Sequence, residues 1–132
     1  MKFDHLGVFV KSLAFGRTHL KSLLKIVDES EEYPEELLKV SLQFLYDENG
    51  TCYELVAPNG DGNPVDSILN GKRNVLNHVA YRVSDLDLQI DRFKERGCAQ
   101  LGHPKAALAF KGARVVHFLT PLDIIIELIE EL

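Results

Sequence analysis

The chain has 132 residues, 45% hydrophobic and 27% charged, with a formal net charge of -5. That is the length and composition of one soluble globular domain with a real core, and the negative balance argues against nucleic acid or an anionic membrane as the main partner. No apolar run approaches the roughly 20 residues a spanning helix needs, and two cysteines, Cys52 and Cys98, are too few for a disulfide framework.

The start, MKFDHLG, lacks the apolar core of a signal peptide, so the expectation is a cytoplasmic protein with buried thiols. FDHLGVFV, from Phe3, is a short β-rich run. Ser12 follows as a helix N-cap, and SLAFGRTHLKSLLKI carries apolar residues at Leu13, Leu20, Leu23 and Leu24. DESEEYPEE, Asp28 to Glu36, is acidic and contains a proline, which predicts an exposed connection carrying at most an edge strand. LKVSLQFLY and TCYELVA predict two strands joined at DENG, where Asn49-Gly50 is a hairpin signal. A stretch rich in Gly, Pro, Asn and Asp follows, with a short helix expected around Val65 to Leu69.

The second half repeats this grammar. LNHVAYRV is a strand, and Ser84 is the expected N-cap, with Asp85 and Asp87 in the first turn. Leu86, Ile90 and Phe93 mark a helix that Gly97 stops. Gly102 to Val115 reads as a flexible loop, and ARVVHFL, the turn TPLD and IIIELIE close the chain. A shift of 73 residues puts His5 on His78, Leu13 on Leu86, Glu54 on Glu127 and Leu55 on Leu128. The reading is therefore one module written twice: module 1–58, linker 59–74 and module 75–132, each close to βαβββ, in an α+β protein.

Strand alternation then groups side chains. Phe3, His5, Gly7 and Phe9 share a face, as do Cys52, Glu54 and Val56. The second half repeats this with His78, Ala80 and Arg82, and with Ile125, Glu127 and Ile129. A lone carboxylate between apolar neighbours is costly unless paired, protonated or bound to a cation. A strand histidine taken singly is usually a satisfied polar residue, but two His and two Glu at one repeat offset suit a divalent ion: Zn, Ni, Co, Mn or Fe. Four protein ligands on a six-coordinate ion leave two positions for substrate oxygens. The repeat places Phe44 opposite His117, which therefore has no twin. Arg82, which shares the His78 face, and Lys105, Lys111 and Arg114 are candidates for meeting an anion, with ordinary solvation as the alternative.

These runs resemble the vicinal oxygen chelate superfamily, which includes glyoxalase I, methylmalonyl-CoA epimerase, extradiol dioxygenases and bleomycin-resistance proteins. FDHLGVFVKSL, CYELVAP, LNHVAYRVSDLD and IIIELIE look like the four ligand strands, and nearly the whole chain is covered. The resemblance implies paired βαβββ modules forming a curled mixed sheet around a central cleft. It implies His5, Glu54, His78 and Glu127 as metal ligands, with Glu127 also a catalytic base. The wording is closest to the methylmalonyl-CoA epimerase branch, where Glu35 and Glu36 fall in the place of a catalytic Glu; a solvated charge run is the alternative. Two departures are plain. Glu54 stands where epimerases often carry Gln, and FLTPLDIIIEL has neither the Lys nor the Gly usual before their last strand.

The resemblance implies a metal-dependent isomerase or lyase that stabilises an enolate of a small acyl thioester and moves a proton with a carboxylate. The substrate would be a CoA or glutathione thioester, and the protein a homodimer. The alternatives are a glyoxalase I-like lactoylglutathione lyase and a metal-free, ligand-sequestering resistance-type binding protein.

Overall fold

Alternating apolar residues in the opening run give strand β1, Lys2–Phe9, whose inward positions His5, Gly7 and Phe9 are buried. In the computed structural model, which describes residues 1–71 and 76–132, the chain divides into two compact units. One is His5–Asn77; the other is Met1–Asp4 with His78–Leu132. The boundary expected between linker and second module, at 74–75, lies outside the described residues.

In the unit His5–Asn77, helix α1 spans Leu13–Leu23, and the Ser12 hydroxyl accepts the Phe15 N–H as expected of an N-cap. Strands β2 (Ile26–Glu29) and β3 (Tyr33–Glu35) occupy the acidic connection, and both pair antiparallel with β4 (Val40–Asp47). Strand β5, Cys52–Pro58, lies between β4, antiparallel, and β1, parallel. The turn joining β4 to β5 is held by Asp47, whose Oδ1 accepts the Asn49 and Thr51 N–H groups, while Gly50 takes φ 79°. Helix α2, Pro64–Asn70, is the short helix expected in the linker, capped by Asn63 with Pro64 in its first turn. Leu13, Leu45, Leu55 and Ala57 pack on the α1 side of the sheet. Gly16 permits that approach, because a Cβ there would sit 3.0 Å from Leu55 Cδ1 and from Val10 Cγ1. Phe9, Val40, Val56 and Val65 form the core beneath α2 on the opposite face.

The other unit repeats the plan. Strand β6 (Leu76–Val83, in this unit from His78) pairs parallel with β9 (Ile125–Glu130), and β8 (Arg114–Leu119) lies antiparallel to β9. Helix α3, Leu86–Glu95, seals one face through Leu86 and Ile90 against Val116, Phe118 and Leu128. Its cap corrects the sequence reading: Asp85, not Ser84, accepts the Leu88 N–H. Gly97 ends it at φ 84°, as expected.

The expected loop from Gly102 to Val115 is a second correction. Strand β7, Ala99–Ala106, pairs antiparallel with β8, and a 3-10 turn, Leu108–Phe110, leads into β8. The β7–β8 register shifts between Leu101 and Lys105, across Gly102 and Pro104. That irregularity hides the two-residue period that would betray a strand.

Arg114 ties β8 to β9 and α3. Its guanidinium donates to both Glu130 oxygens, at 2.8 and 2.9 Å, and to Asp87 at 3.3 Å. The Arg114 hydrogen bonds hold the Glu130 carboxyl below its ordinary value. Arg82 is likewise engaged, with Nε donating to Asp4 Oδ1 at 2.7 Å and the guanidinium 5.5 Å from the Phe110 ring centre. Neither is the free cation that substrate recruitment would need. Cys52 is buried and Cys98 partly so, and the two are not joined in a disulfide. Among the described residues no helix is long and apolar enough to cross a membrane.

Three outcomes follow from this packing. Phe118→Ala, at a fully buried position, is expected to cost about 3–5 kcal/mol in denaturant unfolding. Asp85→Ala should cost about 1 kcal/mol and Ser84→Ala close to nothing; the reverse order would reassign the cap. Because Glu130 has a lowered folded-state pKa, its contribution is present above the ordinary carboxylate range and lost as pH falls through the folded value. Arg114→Met should therefore shift the Glu130 carboxyl upward in an NMR titration and flatten the acid limb of the stability profile.

Candidate functional site

Each unit offers a sheet face not covered by its long helix, and the sequence-identified donors lie there. In the unit His5–Asn77, β1 and β5 run parallel with Gly7 beside Glu54, and β4 sets Phe44 beside Glu54 from the other side. Glu54 is held on a central strand, so its direction is fixed by backbone pairing on both flanks. His5 Nε2 lies 3.6 Å from Glu54 Oε1, and both residues are buried. The Phe44 ring stands edge-on to His5 at 5.7 Å, an apolar wall against the imidazole.

The other unit repeats the register 73 residues on. Ala80 lies beside Glu127 on the parallel side, and His117 lies beside it on the antiparallel side. His117 Nε2 is 2.8 Å from Glu127 Oε2, and the His78 and His117 rings meet edge-on at 5.4 Å. His78 and Glu127 are buried, while the His117 side chain keeps 32% of its surface. One donor atom from each of His78, His117 and Glu127 lies within 4.8 Å of the other two.

Sequence reasoning set His117 aside because its counterpart is Phe44. The position carried the better signal: the residue facing the glutamate across the antiparallel pair is Phe44 in one half and His117 in the other. The lack of a twin marks where the halves differ.

Glu35 and Glu36 are treated differently by the fold. Glu35 closes β3 opposite Val40, on the face that Val40, Leu42 and Phe44 share. The Tyr33 ring, two residues earlier on that face, lies 6.2 Å from Phe44. Glu35 is half-buried and its Oε1 accepts the Leu37 N–H at 3.1 Å, whereas Glu36 is exposed in the turn that follows.

Neutral imidazole and carboxylate oxygen are the donors that first-row divalent ions prefer. Two donors 3.6 Å apart can share an ion whose bonds are about 2.0–2.2 Å long. The chemistry of both donor groups therefore fits a divalent ion.

A family model described as the Glyoxalase/Bleomycin resistance protein/Dioxygenase superfamily matches residues 4–117. An ethylmalonyl-CoA/methylmalonyl-CoA epimerase of Cereibacter sphaeroides is 28% identical over 124 residues, spanning 92% of this chain and 90% of that protein. Among solved structures, a methylmalonyl-CoA epimerase from Mycobacterium tuberculosis superposes with a TM-score of 0.81 at 21% identity, over 99% of this chain and 88% of that one. A Streptomyces coelicolor methylmalonyl-CoA epimerase variant, solved with 2-nitronate-propionyl-CoA, gives 0.75 at 17% identity, over 99% and 97%. The α+β arrangement of strands and helices is the fold of those structures. With a model covering residues 4–117 and this architecture, the chain belongs to the glyoxalase/bleomycin resistance protein/dioxygenase superfamily.

Proposed function

We propose that the protein is a metal-dependent epimerase acting on a small acyl-CoA thioester, in the manner of methylmalonyl-CoA epimerase. One observation carries the reading: each unit buries a glutamate against an imidazole on the sheet face opposite its long helix. The near full-length likeness to an acyl-CoA epimerase supports the substrate class. We take the working form to be a cytoplasmic homodimer.

In this reading His5, Glu54, His78 and Glu127 are the metal ligands. A divalent ion so held would act as a Lewis acid, lowering the cost of negative charge on the thioester carbonyl. The protein's own groups do the proton work. Inverting a carbon next to a carbonyl requires removing its proton from one face and returning one to the other. Two carboxylates are the candidates. Glu127 combines the roles of ligand and base, and Glu35 is the second acid, favoured over Glu36 by its partial burial on the face of Phe44. The buried setting of Glu54 and Glu127 strengthens electrostatic interactions with developing charge.

Glu54 supports a second reading, since a carboxylate at this position also suits a glyoxalase I-like lyase. The two readings differ in product. Incubated with a methylmalonyl-type CoA thioester in deuterated water, the protein should exchange the proton on the carbon next to the carbonyl. Chelator treatment should abolish this, and Glu35→Gln and Glu127→Gln should each lower the rate by about 10²–10⁴-fold. Formation of lactoylglutathione from the hemithioacetal of methylglyoxal and glutathione, with no exchange into the CoA thioester, would select the lyase. Ligand binding that survives complete metal removal, with neither activity, would select a sequestering protein.

A further inference from the structure

We propose that His78, His117 and Glu127 form a three-donor cation site contained within the unit Met1–Asp4 with His78–Leu132, and that His117 is a metal ligand. The inference rests on the metal-binding part of the proposed function and is independent of epimerisation.

The sheet assembles these donors without help from a loop. β9 is paired on both edges, so Glu127 emerges at a fixed place between β6 and β8. His117 is its direct partner across the antiparallel pair, and Ala80, its neighbour on β6, is too small to shield it. One atom from each donor lies within 4.8 Å of the others. Two ligands of one ion at about 2.0–2.2 Å can be no more than about 4.3 Å apart, so small side-chain adjustments bring the set onto an ion. The 2.8 Å between His117 Nε2 and Glu127 Oε2 suits neighbouring vertices of a six-coordinate ion, which lie about 2.9 Å apart for bonds of that length. Two imidazoles and one carboxylate are a donor set for Fe²⁺, Zn²⁺ or Co²⁺ that leaves positions open for small ligands. The His117 side chain keeps 32% of its surface, so the set is reachable from solvent on that side, while His78 and Glu127 are buried. In the other half the position matching His117 is Phe44, which cannot ligate.

A rival role for His117 is to orient Glu127 by hydrogen bonding without touching the ion. Ligand counting separates the two. Full-length protein stripped by chelator and titrated with Co²⁺ would be followed by calorimetry and by proton NMR of hyperfine-shifted imidazole ring protons. His117→Phe, which copies the Phe44 arrangement, is expected to weaken Co²⁺ binding by more than about 100-fold, beyond the roughly 10–100-fold typical of losing an orienting partner. It should also remove one imidazole set from the spectrum. His117→Gln, measured in parallel, keeps the test usable if the phenylalanine variant does not fold. A His5→Ala, Glu54→Gln double variant, which removes the two proposed ligands of the other unit, should bind Co²⁺ more weakly than the wild type but still take up one ion per chain through His78, His117 and Glu127. An unchanged imidazole count in the His117 variants, or loss of all binding in the double variant, overturns the inference and leaves the proposed function standing. A wild-type chain that takes up no Co²⁺ overturns the metal reading itself.

Discussion

A buried carboxylate sets the terms for the rest of this protein. Glu54 and Glu127 are 3% and 4% exposed, each on the middle strand of a three-strand set and each between apolar neighbours. The effective cost of taking such a charge out of water is several kcal/mol unless partners compensate it. The structure brings a nitrogen to each glutamate: His5 within 3.6 Å of Glu54, and His117 within 2.8 Å of Glu127. Stability alone would be better served by well-packed hydrocarbon of the same volume. Two such arrangements in one small chain are not what packing alone would select.

The sheets make that cost tolerable by dividing labour between their faces. In each unit one face carries the helix-covered core: Leu45, Leu55 and Leu13 in one, Phe118, Leu128 and Leu86 in the other. The glutamate is one residue away from that core, on the opposite side of the pleat. A one-residue slip would drive it under the long helix and put a leucine in its place, so the hydrophobic face pins the register that aims the donor. Backbone pairing on both edges of β5 and β9 then fixes the side chain's origin more firmly than a loop could.

Much of this was legible in the sequence because both halves keep one spacing. The shift that carries His5 to His78 also carries the Gly7–Glu54 pairing to Ala80–Glu127, and the start of α1 to the start of α3. The missed features are places where residue type was trusted over position. The same shift carries Ser12 to Asp85, so the repeat already named the cap that Ser84, a better-looking neighbour, obscured. Strand β7 was hidden by glycine and proline at a bulge, where local composition says loop and pairing with β8 prevails. The arginines read as candidates for an anion have intramolecular partners, which no periodicity could reveal: Asp4 is 78 residues from Arg82 in sequence.

The difference between Phe44 and His117 shows what duplication permits. Once a module exists twice, the same scaffold position is free to follow two chemistries, since the backbone pairing that holds it is indifferent to the side chain. Phe44 keeps an apolar wall, edge-on to His5 and in contact range of Tyr33. His117 places a third nitrogen-or-oxygen donor beside His78 and Glu127. An imidazole is about as flat as a phenyl ring and meets its neighbouring histidine in the same edge-on manner, at 5.4 Å against 5.7 Å. The exchange therefore asks little of the packing and changes the available chemistry completely. That asymmetry, small in volume and large in donor capacity, is the difference between the halves that bears most directly on metal binding.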